Sequence, residues 1–239
     1  MVSWAMAATP AAAQEKSGAK PGFTLSPGSA RIVLMRPNVR VGSQSAGGVP
    51  TPNADWTAQA RINLSAALKE RQGALGNTVV DYDDGGAGEG PIVNQYSSLF
   101  GSVADSVIEY QFFKGNRLPT KKRKGQFAWG LGPGLARLKS LGAADYALFI
   151  DTTDDFGSTG RKMLQVVGMF AGVGITSGIH LGHAGLIDLK SGELVWLNAD
   201  RQMGGDVRTP DGARKRIREL LEKFPGRPPE AGATPPAAR

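Results

Sequence analysis

The chain is predicted to fold as α/β: a single domain in which a mixed β-sheet carries packed helices. Three observations predict it. Short apolar runs alternate with segments of helical period through the first two thirds. Two extended runs joined by a tight glycine turn follow, which adds an antiparallel hairpin to an otherwise parallel pattern. Between two ends of low complexity lie roughly 200 residues, enough for one sizeable core.

The elements come in order β-α-β-α-α-β, a glycine-rich run, then β-β-α. Arg31-Ile-Val-Leu-Met35 is a short buried strand that stops before Pro37. A polar loop is expected over residues 38–53. From Asp55 to Gln72, Trp56, Ala60, Leu64, Ala67 and Leu68 share one helix face, and Gly73 suits the C-terminal cap. Thr78-Val-Val-Asp-Tyr82 is a strand, and the acidic, glycine-rich stretch from Asp83 to Gly90 is a loop. Pro91 fits the first position of a long helix in which Ile92, Tyr96, Leu99, Phe100, Val103 and Val107 recur to about Phe113. A shorter helix holds Leu135, Leu138 and Leu141 and ends at Gly142.

The next strand, residues 144–151, is uniformly apolar in its middle and is expected to be buried on both faces. Gly157 to Gly185 carries eight glycines, and Met163 to Ile179 is uncharged for 17 residues. That length is at the lower edge of a membrane span, and Gln165, Thr176 and Ser177 interrupt it. A helix or hairpin packed with close backbone contacts is expected there, and a membrane-contacting segment is the lesser alternative. Residues 181–189 and 194–200 form the hairpin around Lys190-Ser-Gly-Glu193, where Gly192 supplies the positive φ of the turn. Thr209 caps a last helix, Pro210 opens it, and Ala213, Ile217, Leu220, Leu221 and Phe224 are its buried stripe.

Both ends differ from this middle. Residues 1–27 read as a truncated signal peptide or disordered arm, residues 28–226 as the α/β domain, and residues 227–239 as a disordered Pro/Ala-rich tail. Ala11 and Ala13 fit an A-x-A cleavage pattern that would start the mature chain at Gln14, although a basic n-region and a long apolar core are missing. The chain has no cysteine, which excludes disulfides, thiol nucleophiles and thiolate metal sites.

The formal charge is +7. Six of the basic residues fall in Lys114–Lys124, including Lys121, Lys122, Arg123 and Lys124, with no acid among them. Such a run can meet nucleic acid, anionic lipid or an acidic polymer. A solvated loop is the simpler account, because no nucleic-acid-binding motif accompanies it; Phe127 and Trp129 nearby are the one hint of stacking.

Candidate chemistry is sparse. Asp151, Asp154 and Asp155 are expected at a strand end, where carboxylates could bind a divalent cation or act as acid and base. Acids that cap and solvate a loop explain them better, because no calcium-loop glycine spacing is present. His180 and His183 sit three apart on a strand, which puts them on opposite faces and argues against a shared metal. Gly168, Gly172 and Gly174 match neither the phosphate-loop nor the dinucleotide order, so close packing explains them better. No Gly-x-Ser-x-Gly elbow occurs. No catalytic residue, metal site or cofactor is assigned.

Certain stretches carry a family resemblance: Ala143-Ala-Asp-Tyr-Ala-Leu-Phe-Ile150 and the glycine-rich run after it, Gly185-Leu-Ile-Asp-Leu-Lys-Ser-Gly-Glu-Leu-Val-Trp196, Gly205-Asp-Val-Arg208, and the closing Leu220-Leu-Glu-Lys-Phe-Pro225. In them the chain resembles the CsgG-like group of bacterial envelope proteins, named for the curli secretion channel. That group shares its α/β fold with the amino-terminal domain of Tol translocation protein B. The resemblance covers roughly four-fifths of the chain and is one of pattern. It implies a non-enzymatic periplasmic or outer-membrane-associated protein, accessory to envelope assembly, secretion or transport. Its partners would be an envelope protein, further copies of itself, or the membrane surface. It brings no catalytic set, and the lipidated cysteine of some members has no counterpart here. The expected working surface is Gly168, Gly172 and Gly174 with Lys121, Lys122, Arg123 and Lys124. The alternatives are a cation-dependent or phosphate-handling enzyme built on the aspartates, and a basic nucleic-acid-binding protein.

Overall fold

The computed structural model describes residues 15–112, 126–142, 144–176 and 178–226. The expected signal peptide, the Pro/Ala-rich tail and the basic run Lys121–Lys124 lie outside them. The described residues form an α/β fold: one mixed sheet of nine strands, with three α-helices on its two faces and a fourth at one end.

The strands are β1 (Glu15–Ala19), β2 (Arg31–Leu34), β3 (Asn38–Gln44), β4 (Pro50–Pro52), β5 (Thr78–Asp81), β6 (Trp129–Gly130), β7 (Tyr146–Gly157), β8 (Gly178–Asp188) and β9 (Glu193–Asp200). The α-helices are α1 (Ala54–Arg71), α2 (Gly90–Val107), α3 (Thr159–Phe170) and α4 (Pro210–Leu220). The main path across the sheet is β1-β9-β8-β7-β2-β5. β2 is parallel to both β5 and β7, and β7, β8 and β9 form an antiparallel meander.

β7 is the spine. Its start pairs with β2, from Ile32 opposite Tyr146 to Leu34 opposite Leu148. Its remainder pairs with β3, from Asn38 opposite Asp151 to Gln44 opposite Gly157. Pro37 separates β2 from β3, since it has no N–H to give a ladder. The polar stretch expected as a loop over residues 38–53 is therefore two strands. Val39 and Val41 are buried within it, and Thr57 Oγ1 at the start of α1 accepts from Val41 N at 3.0 Å.

Two parallel crossovers place helices on opposite faces. α1 carries the chain from β2 to β5, and α2 carries it from β5 to β7. On the first face α1 and α4 pack together. Ala60, Leu64, Leu68, Ile217, Leu220 and Phe224 meet Val41, Leu148, Ile150 and Leu186 there. On the second, Val93, Phe100, Ala104 and Val107 of α2 meet Val33, Ala147, Phe149 and Leu197. β7 is thus buried on both faces, as its uniformly apolar centre predicts.

Several boundaries differ from expectation. α1 passes Gly73 into a 3-10 turn, and the left-handed residue that ends it is Gly76, at φ 72°. Leu135 and Leu141 lie on two short 3-10 turns with Leu138 extended between them, instead of on one helix. Ile92 and Leu99 of α2 face solvent. Glu15–Ala19, within the stretch expected as an arm, pair antiparallel with β9. Alternation in β9 is broken by an irregularity opposite Leu186 and Ile187. Val195 therefore joins Trp196 against α4, while Leu194 and Leu197 face α2; simple alternation would have paired Val195 with Leu197.

Candidate functional site

β7 runs six residues past Asp151, so Asp154 and Asp155 are within the strand and not at its end. The acids interrupt an apolar pattern, which is why the sequence places the end of the strand at Asp151. β8 follows β7 as far as Gly178 opposite Phe156, whereas β9 leaves β8 at Gly182 opposite Asp200. The last part of the β7–β8 ladder therefore extends beyond β9, and α3 closes its tip.

The base of this tip holds a buried ion pair. Asp154 and Arg216 are both fully buried. Arg216 Nη1 and Nη2 donate to the two carboxylate oxygens of Asp154, at 2.9 and 2.7 Å. The remaining guanidinium donors reach Thr152 Oγ1 at 2.6 Å, the Gly204 carbonyl at 3.0 Å and the Gly205 carbonyl at 3.1 Å. All five N–H groups are thus used, the condition for a charge to sit inside at tolerable cost. His180 Nδ1 lies 2.7 Å from Asp154 Oδ1. Burial alone would raise the Asp154 carboxyl, but the bonds from His180 and Arg216 outweigh it and hold it below the ordinary carboxylate range.

A second cation is clamped beside it. The Arg208 guanidinium is 3.7 Å from the Phe156 ring centroid and 4.5 Å from that of Trp56. Asp206 accepts from Arg208 Nε and Nη2 at 2.9 and 2.7 Å, which lowers the Asp206 carboxyl and raises the guanidinium. Phe156 also meets His180 edge-on, with centroids 5.0 Å apart. Together these contacts tie β7, β8, α1 and the loop before α4 beneath the tip.

The three candidate aspartates do not form a cluster. Asp154 faces α4, while Asp151 and Asp155 face the other way, two pleats apart on one strand. Asp151 Oδ2 accepts from Asn38 Nδ2 at 2.7 Å. Among the described residues, no group of three or more His, Asp or Glu side chains could hold a metal ion. The two histidines divide as their spacing predicts. His180 meets Asp154, and His183 lies under Phe100 on the α2 face, with centroids 5.5 Å apart.

The tip itself is unusual. Ser158 caps α3 through its hydroxyl, which accepts from Arg161 N at 3.3 Å. Arg161 holds the helix down: its Nε donates to the Thr176 carbonyl at 2.8 Å and Nη1 to the Ala46 carbonyl at 3.4 Å. Gly172, at φ 71°, ends the helix, and Val173 N returns to the Gly168 carbonyl at 2.7 Å. A Cβ on Gly168 would collide with the Val173 carbonyl. Gly168 and Gly172 therefore serve α3's own turn, and a Cβ on Gly174 would meet nothing. Gly168 is the buried residue of the helix; Met163, Val167, Met169 and Phe170 are exposed, Phe170 by 90 % and Met169 by 74 %. The segment expected to be packed is displayed instead.

Sequence reasoning missed Arg216 and the Arg208 clamp. Arg216 had a signal: it falls on the α4 face between Ala213 and Leu220, where a solvated arginine does not belong. The clamp joins residues far apart in the chain, and no local pattern announces it.

No family model matches the chain, and no curated protein matches it. Among solved structures it is similar to the PelC dodecamer from Paraburkholderia phytofirmans, at 12% identity and a TM-score of 0.36, over 90% of this chain and 98% of that one. It is also similar to a DUF4136 family protein from Bacteroides thetaiotaomicron, at 8% identity and a TM-score of 0.36, over 89% of this chain and 97% of that one.

Proposed function

We propose that the protein is a non-enzymatic component of the bacterial envelope that works by contact, through the helix at the tip of β7 and β8. The observation that supports it is the exposure of α3. A group of large apolar side chains on one short helix is unfavourable in water and calls for a cover. Export is supported by the Ala11-x-Ala13 pattern, and the envelope setting by the resemblance to the CsgG-like group.

The test is fractionation of cells expressing the protein from its genomic start. The expected product is recovered with envelope fractions and begins near Gln14. The double variant Met163→Glu and Phe170→Glu should be exported equally but lose its association with those fractions. An uncleaved, cytoplasmic wild-type chain would overturn the envelope assignment. A variant as firmly associated as wild type would remove α3 from the contact.

A further inference from the structure

We infer that α3 is a lipid-inserting wedge that seats the tip of the molecule in the interfacial layer of an anionic phospholipid surface. The inference rests on the contact reading above and commits it to one occupant. Successive residues of a helix are 100° apart, so Met163, Leu164, Val166, Val167, Met169 and Phe170 together sweep an arc of roughly 220°. All six are exposed. The remaining sector holds Arg161, Gln165 and Gly168, and this is the side that touches the protein: Arg161 reaches Thr176 and Ala46, and Gly168 backs onto Val173 and Ile175.

The helix is therefore inside out, with its polar stripe inward and its apolar surface outward. A helix that docks on another protein shows an apolar stripe on one face. A flat partner, or a second copy, would cover such a stripe and leave the flanks of this arc in water. Hydrocarbon surrounds a wedge on all its free sides.

Size and charge agree. Twelve residues make a helix about 18 Å long, too short for a hydrocarbon core of about 30 Å, so it lies at one interface without crossing. No described helix is long and apolar enough to cross a membrane. From residue 156 to residue 187 the chain has no Asp or Glu, and Arg161 and Lys162 stand in the first turn of α3. Cations at the base of an inserted helix meet the headgroups, and this favours an anionic surface. Val49, exposed in the β3–β4 turn on which Arg161 rests, widens the apolar tip.

The experiment is flotation of the purified chain with two kinds of vesicle, phosphatidylcholine alone and phosphatidylcholine with one quarter phosphatidylglycerol. Light scattering without lipid runs alongside. Wild type should float with the anionic vesicles and bind them about tenfold more tightly than the neutral ones. Lys162→Glu should erase most of that preference. Met163→Glu with Phe170→Glu should lower binding to both by at least about tenfold. Its melting temperature should stay put, because both side chains are exposed. Equal flotation of wild type and the double variant overturns the inference. So does a wild type that ignores vesicles. If that protein is an oligomer which the double variant dissociates, contact through α3 stands and a second copy is the occupant. If it is a monomer, the contact reading falls as well.

Discussion

At the scale of single residues, Asp154 and Arg216 decide how the tip is held. Each is a full charge without solvent, and each is satisfied by the other. Asp154→Asn keeps the shape but leaves the guanidinium uncompensated, and should cost about 3–5 kcal/mol in urea denaturation. The pair also sets an acid limit. Its stabilisation is present above the ordinary carboxylate range and is lost as pH falls through the lower folded value. His183 acts at milder pH. Burial pushes its imidazole down from the ordinary 6.5, and the carboxylates of Asp151 and Asp105 oppose this without cancelling it. Between 6.5 and the lower folded value, the unfolded chain binds the proton and the folded chain does not. Stability should therefore rise with pH through that window, by up to about 1.4 kcal/mol per pH unit, and level off above it. Thermal melts from pH 5 to pH 8 check this, and His183→Asn should flatten the rise.

At the scale of elements, α4 shows how one helix closes a face. Phe224, just past its end, is buried edge-on against Trp196, with centroids 5.4 Å apart. Phe224→Ala should cost about 3–5 kcal/mol by equilibrium unfolding; a loss below about 1 kcal/mol would mean that the end of α4 does not anchor the sheet. α4 was legible because its cap, first proline and apolar stripe all agree. β2, β5, the centre of β7 and the β8–β9 hairpin were legible for similar reasons. What escaped was written in unlike residues. β3 carries Gly42, Ser43 and Gln44 where a strand reader wants branched apolar side chains, and its pairing with β7 makes it a strand all the same. The outer half of β7 escaped because its acids read as loop. α3 was visible as an apolar, glycine-rich run, but which way its apolar side faces depends on Arg161 reaching the β3–β4 turn, and that contact is not local.

At the scale of the whole molecule, the chain divides its labour. The wide middle of the sheet is buried between α1 and α4 on one side and α2 on the other. The candidate surface sits where that cover ends, on two strands that continue past their neighbour. The basic excess and the apolar tip are separate features of the sequence: α3 contributes two of the 28 cations, and the formal charge of +7 arises mostly elsewhere.

The register of β7 and β8 has one more consequence. Phe156 and Gly178 stand opposite each other, so the segment from residue 158 to residue 176 leaves the sheet and returns at nearly the same rung. An excursion whose two ends are already neighbours gains little closure cost when it lengthens. Away from Ser158, Arg161, Gly168 and Gly172, residues 158–176 can therefore change in length and sequence with little effect on the sheet, so selection on what they touch acts apart from selection on the scaffold.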